Sequence, residues 1–159
     1  MADSIQLARQ VVEKLCANGH RLGVIESCTG GLLAAAITAV PGASAVFVGG
    51  LVAYSNEIKA SLVGIDEMTL EGFGAVSGEC ACEMACNGEM VLGADYIVAI
   101  TGIAGPDGGT EDKPVGTVFI AWSGPAGVEL EHHTFDGDRG SVQAQTVTRA
   151  LAKLLELLG

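Results

Sequence analysis

Aromatic residues are scarce in this chain of 159 residues: one Trp, two Tyr and four Phe, 4% of the total. Any core must therefore be built from Ala, Val, Leu, Ile and Met. A hydrophobic fraction of 49% supplies enough of them to exclude a disordered chain. Basic residues are nearly as scarce, since eight Lys and Arg face 19 Asp and Glu, for a formal net charge of −11. A field of that sign repels a nucleic-acid backbone and an anionic membrane surface, so neither is an expected partner. An anionic ligand would have to be held by a few local cations. From Gly30 to Tyr54 there is no charge at all. Pro41-Gly42 splits this stretch, and no Lys or Arg flanks it closely. It reads as a buried helix, a turn and a buried strand rather than a membrane span.

The length suits one domain, expected over residues 1–159, with no linker or internal repeat. Glycine is abundant, at 23 residues, but is spread through separated turns. The five cysteines are an odd number, and Met1-Ala2-Asp3-Ser4 has no basic n-region. Both point to a reducing, cytoplasmic setting without a signal peptide.

Ile5, Ala8, Val11, Val12, Leu15 and Cys16 recur at helical spacing, with Ser4 as expected N-cap and Gly19 as stop. Leu22 to Ile25 is a short apolar run, a buried strand, and Leu32 to Val40 is an Ala-rich helix ended by Pro41-Gly42. Ala45 to Ala53 reads as a second buried strand. Ser55, Asp66, Ser77 and Asp138 are placed to cap further helices. The third of these helices runs to about Leu92, and the fourth carries Val142, Thr146, Val147, Ala150, Leu151, Leu154 and Leu158 on one face. Tyr96 to Ile100 is a third strand, followed by a long loop from Gly102 to Pro114. Val115–Trp122 and Val128–Phe135 form a hairpin around Gly124-Pro125-Ala126-Gly127. The order predicts an α/β fold: a three-layer α/β/α sandwich on a mixed, mostly parallel sheet of about five strands.

Chemistry centres on the run Glu26-Ser27-Cys28-Thr29-Gly30-Gly31, where a buried strand meets a helix. Open α/β sheets place ligands at such ends. Thr29, Gly30 and Gly31 can present free N–H groups to an anion or an oxyanion, and Ser27 can attack a carbonyl there. Ser27 can equally cap the helix. Tyr54 ends a strand, and Lys59 follows one helical turn later. A lysine can take a serine proton when burial or a nearby cation lowers its pKa, and a tyrosine can orient that proton. The plainer reading is an interface tyrosine and a solvated lysine. The glycine-rich segment Thr101-Gly102-Ile103-Ala104-Gly105, continuing to Lys113, can wrap a ligand, although it lacks P-loop spacing. Arg139, at the start of the last helix, suits a phosphate or carboxylate. Cys80, Cys82 and Cys86 match no common zinc pattern and read as small core residues. His132 and His133 point to opposite faces of a strand, and nothing favours a Ser-His-Asp triad.

These motifs in this order, with Gly74-Ala75-Val76-Ser77, Lys113-Pro114-Val115-Gly116-Thr117 and Gly137-Asp138-Arg139, carry a resemblance over about residues 5–158. The chain resembles the CinA carboxy-terminal family, the nicotinamide-nucleotide amidases of the PncC type. The resemblance implies a three-layer α/β/α fold and hydrolysis of the carboxamide of nicotinamide mononucleotide to nicotinate mononucleotide and ammonia. It implies Ser27 as nucleophile, Tyr54 and Lys59 as its proton-handling partners, and Arg139 as an assisting cation. Thr29, Gly30, Gly31, Thr101, Gly102, Gly105, Lys113 and Arg139 are then expected to bind the substrate. No metal or organic cofactor is expected, and the partners are a small pyridine nucleotide and further copies of the chain in a homo-oligomer. Where the family often reads Val-Arg after Gly-Asp-Arg, this chain has Val142-Gln143; its cysteine-rich stretch from Glu79 to Cys86 is also unusual. Some family members carry an additional amino-terminal domain, for which this chain is too short. A non-catalytic nucleotide-binding or regulatory module, and a thiol enzyme using Cys28, are the alternative readings.

Overall fold

The computed structural model describes residues 2–159. Helix α1 (Ala2–Asn18) turns Ala8, Val11, Val12 and Leu15 inward and ends at Gly19, whose φ of 68° is the left-handed C′ conformation. The His20 N–H closes back on the Leu15 carbonyl at 3.0 Å. Ser4 is not the cap: the helix begins at Ala2, and Ser4 lies inside its first turn. Ala2 and Asp3 extend the helix upstream, one by intrinsic propensity and the other by its charge at the positive end. Ile5 and Cys16, at the edges of the expected stripe, are exposed.

Strand β1 (Leu22–Glu26) is buried throughout. It leads to helix α2 (Leu32–Thr38), a short 3₁₀ turn and strand β2 (Phe47–Val52). Helix α3 (Asn56–Ile58) runs directly into a π turn over Lys59–Val63. Helices α4 (Glu67–Gly72) and α5 (Gly78–Leu92) precede strand β3 (Tyr96–Gly102). Strands β4 (Thr117–Gly124) and β5 (Gly127–Thr134) form the hairpin, and α6 (Arg139–Leu157) closes the order. The four expected caps are made: Ser55 accepts from Ile58 N–H, Asp66 from Met68, Ser77 from Cys80 and Asp138 from Ser141.

The sheet order is β2-β1-β3-β4-β5. β1 pairs parallel with both β2 and β3, whereas β3–β4 and β4–β5 are antiparallel, so the sheet is mixed and its parallel half is β2-β1-β3. β2 is a half-exposed edge strand, not the buried strand expected from its apolar composition, because only β1 flanks it. On one face α1, α2 and α6 cover Val24, Val98, Ile100 and Trp122, whose indole N–H donates to the Ala150 carbonyl at 3.0 Å. On the other, α5 covers Ile25, Ile97, Ala99 and Ala121. It lies close because Gly88 has no Cβ; one would come within 2.8 Å of both Ile25 and Ile97. Helices on both faces make the three layers.

The carboxyl ends of β1, β2 and β3 open on one side of the sheet. The chain leaves β1 for β2 on one flank and reaches β3 on the other, so β1 ends at the switch point where such sheets place ligands.

Candidate active site

Four segments meet beyond the ends of the parallel strands. Ser27 follows β1 directly, and Tyr54 to Lys59 follow β2. The loop after β3 brings Gly102 to Gly108, and Arg139 opens α6. Together with Cys28, Asn56, Ala75, Val76 and Thr101 they line one cleft of about 270 Å³.

Lys59 is the unusual group here. It is only 1% exposed, and its Nζ lies 3.0 Å from Ser27 Oγ, 2.9 Å from the Ala53 carbonyl and 3.2 Å from the Tyr54 carbonyl. The π turn makes this reach possible by placing the lysine under the end of β2 rather than on a solvated helix face. Burial lowers its pKa from the ordinary lysine value of 10.5, and the nearby thiols of Cys80 and Cys28 offset this only in part. Lys59 Nζ donates to both carbonyls and to Ser27 Oγ; loss of one proton would keep the two carbonyl bonds and leave a lone pair for the Ser27 hydroxyl proton.

Tyr54 is placed differently from expectation. Its hydroxyl accepts from Arg139 Nη2 at 2.8 Å, while Arg139 Nη1 donates to the Gly105 carbonyl at 2.7 Å. It is the Tyr54 backbone carbonyl, not its phenol, that touches Lys59. The guanidinium thus ties the end of β2 to the loop after β3 across the cleft.

Two N–H groups of the expected anion cradle, those of Gly30 and Gly31, are already used. The Glu26 carboxylate accepts from the N–H groups of Gly31 and Leu33, each at 3.1 Å, and of Ala34 at 2.8 Å. The Gly30 N–H donates to the Ser27 carbonyl at 3.0 Å. None of Thr29, Gly30 and Gly31 lines the cleft. Nor does Ser27 cap α2, whose N-cap is Gly31 without a side-chain cap bond. A buried carboxylate one residue before the serine outcompetes both roles. Lys113 also lies outside the lining, with its Nζ donating to the Phe73 carbonyl at 2.9 Å. Thr101 borders the cleft and donates to the Ala75 carbonyl at 2.7 Å, which fixes one wall. Asn56, Ala75 and Val76 are lining residues that sequence reasoning left without a role, whereas Ile103, Asp107 and Gly108 belong to the glycine-rich segment expected to wrap a ligand.

Cys28 is 6% exposed and packs with the core under α2; burial pushes its thiol up to about 11, so it is protonated at neutral pH and no rival nucleophile. Gln143 donates to the Cys28 carbonyl at 2.8 Å. Cys80 is fully buried, Cys82 partly, and Cys86 is exposed; among the described residues no group of three His, Cys, Asp or Glu is placed to hold a metal. Replacing Cys82 and Cys86 with Ser is therefore expected to leave activity and chelator response unchanged. Cys80→Ala should cost about 1 kcal/mol as a small cavity, read from denaturant midpoints. Stoichiometric zinc in the native protein, absent from the variants, would show the opposite. His132 stacks on Phe119 and His133 on Phe135, both on β5, away from the cleft.

A family model, the CinA C-terminal domain, matches residues 4–158. A CinA-like protein of Parasynechococcus marenigrum is 51% identical over 151 residues, which are 93% of this chain and 36% of that protein. The chain thus spans about a third of the length of such CinA-like relatives. The nicotinamide-nucleotide amidohydrolase PncC of Escherichia coli is 46% identical over 157 residues, covering 97% of this chain and 95% of that protein. A crystal structure of a CinA superfamily protein from Klebsiella pneumoniae superposes with a TM-score of 0.94 at 40% identity, over 98% of this chain and 97% of the other. The competence or damage-inducible protein of Enterobacter asburiae gives 0.95 at 37% identity, over 98% of both chains. No helix among the described residues is long and apolar enough to cross a membrane.

Proposed function

The chain belongs to the CinA C-terminal domain family, and we propose that it is a nicotinamide-nucleotide amidohydrolase whose nucleophile is Ser27. The carrying observation is the 3.0 Å contact between Ser27 Oγ and a buried lysine amine. All 159 residues then act as one catalytic domain on a soluble pyridine nucleotide in the cytoplasm, without metal, cofactor or nucleic acid, in a homo-oligomer.

Lys59 Nζ takes the hydroxyl proton as Ser27 Oγ bonds to the carboxamide carbon of nicotinamide mononucleotide. The carbonyl oxygen takes up the displaced electron pair. The N–H of Cys28, next after the nucleophile, is the donor proposed for that oxygen. As the tetrahedral species collapses, the Lys59 ammonium gives its proton to the departing nitrogen and ammonia leaves. Water then adds to the acyl-enzyme, passing a proton to Lys59, which returns it to Ser27 Oγ as nicotinate mononucleotide is released. Gly102 and Gly105 shape the cleft wall, Thr101 braces it, and Arg139 holds its two sides at the distance the substrate needs. Ammonia release over a panel of pyridine nucleotides tests the assignment. Binding without any release would instead identify a non-catalytic module.

Arg139 yields a separate expectation. Arg139→Ala removes both ties across the cleft, and a lysine cannot replace the planar fork. Both Arg139→Ala and Arg139→Lys should lower kcat/KM by about 10- to 100-fold, consistent with the loss of one or two charge-assisted bonds. Their melting temperatures should stay near that of the parent. Steady-state kinetics beside thermal melts check this, and undiminished activity in Arg139→Ala would remove the residue from the site.

A further inference from the structure

The proposed reaction leaves unexplained why a carboxylate is buried one residue from the nucleophile. Glu26 is 1% exposed, and no cation pairs with it among the described residues. Its charge is met by three backbone N–H groups at the start of α2. Such an arrangement is costly to bury unless the geometry is satisfied, and here both oxygens are satisfied. The side chain spans the Ser27–Gly30 turn, itself closed by the Gly30 N–H on the Ser27 carbonyl. The turn is therefore pinned at one end by β1 and at the other by Glu26.

The backbone of the same residue reaches the other half of the pair. The Ala53 N–H donates to the Glu26 carbonyl at 2.8 Å, and the Ala53 carbonyl accepts from Lys59 Nζ at 2.9 Å. One residue thus fixes the turn carrying the serine through its side chain and the carbonyl seating the lysine through its main chain. Gln143 supports the arrangement from α6 by its bond to the Cys28 carbonyl.

We infer that Glu26 is a positioning residue for the Ser27–Lys59 pair: its carboxylate, locked into the first turn of α2, holds the serine hydroxyl within reach of the amine. It touches neither substrate nor reacting atoms. The inference rests on Ser27 being the nucleophile. Without the carboxylate, three N–H groups lose their acceptor, the turn relaxes, and Oγ drifts from Nζ. A misplacement of about 1 Å can cost about 10²-fold in turnover. In Glu26→Gln the amide presents N–H groups to one or more of those donors, so the isosteric variant should already fail.

The experiment compares Glu26→Gln, Glu26→Ala and Ser27→Ala by kcat, KM and thermal melting with nicotinamide mononucleotide. It is repeated with sodium formate at constant ionic strength. Glu26→Gln should lose about 10²-fold in kcat with KM little changed. Glu26→Ala should lose at least as much and regain part of it in formate, whose carboxylate fits the emptied position. The parent and Ser27→Ala should not respond to formate. Where Glu26→Ala does not fold, the rate at which a fluorophosphonate labels Ser27 in Glu26→Gln supplies the second reading, and it should fall in step with kcat. A folded Glu26→Gln with parental kcat and labelling rate would overturn the inference. So would losses that follow only the folded fraction and ignore formate. An active Ser27→Ala would instead show that the nucleophile was misassigned.

Discussion

Ser27→Ala is expected to release no measurable ammonia from nicotinamide mononucleotide, a loss of about 10⁴- to 10⁶-fold in kcat, while the nucleotide still binds. The hydroxyl is the one group in contact with the depressed lysine that can form a bond to carbon. On the proposed mechanism, removing it deletes the acyl-enzyme route and leaves the rest of the cleft intact. Binding is read by calorimetry or by a ligand-induced rise in melting temperature, and release by a coupled ammonia assay. Cys28→Ser and Cys28→Ala supply the contrast. That thiol is buried against the α2 core and pushed up to about 11, so its removal should alter packing more than rate. Most of the activity should survive in both, and alkylating reagents should inhibit slowly. An active Ser27→Ala beside an inactive Cys28→Ser would overturn the mechanism.

The layers of the fold were legible because their signals are local. Ser55, Asp66, Ser77 and Asp138 each stand before a helical run and each makes its cap, and Pro125-Ala126 lies between the two strands of the hairpin. Ser4 misled because a favourable cap residue does not stop a helix that Ala2 and Asp3 can extend. The membership of the cleft was largely legible too: Ser27, Tyr54, Lys59, Thr101, Gly102, Gly105 and Arg139 all line it. What each side chain does there was less so. A lysine one helical turn after a strand reads as solvated; its burial depends on a π turn that no spacing announces. Gly31 looked like a free donor because the pattern does not reveal that Glu26 folds forward onto its N–H and those of Leu33 and Ala34. The Tyr54–Arg139 bond stayed hidden because the two residues lie 85 apart along the chain and 2.8 Å apart in space. Partners fixed by tertiary geometry stay hidden where caps and periodicities do not.

Lys59→Ala and Lys59→Met should each lower kcat/KM by about 10³-fold or more, since a serine without a base keeps its proton. The pH profile carries the finer test. Burial lowers the lysine's pKa from 10.5, so in the parent enzyme kcat/KM should rise with pH to a plateau, with an inflection below that value. Stability carries the same signature. Between the depressed folded-state value and 10.5 the unfolded chain binds more protons than the folded one, so the free energy of unfolding rises with pH across that window. Below the folded-state value both states hold the proton and the slope vanishes. Cys28 and Cys80 act in the opposite sense. Each is raised from 9.0 to about 11, so the folded state keeps their protons longer and loses stability as pH climbs through that range. The thiols are present in both the parent and Lys59→Met, so the lysine contribution is the difference between their slopes. Denaturant titrations of the two below pH 10.5 should show a more positive slope of stability with pH in the parent than in the variant. A rate inflection at or above 10.5, or equal stability slopes in the parent and Lys59→Met, would assign the base to another group.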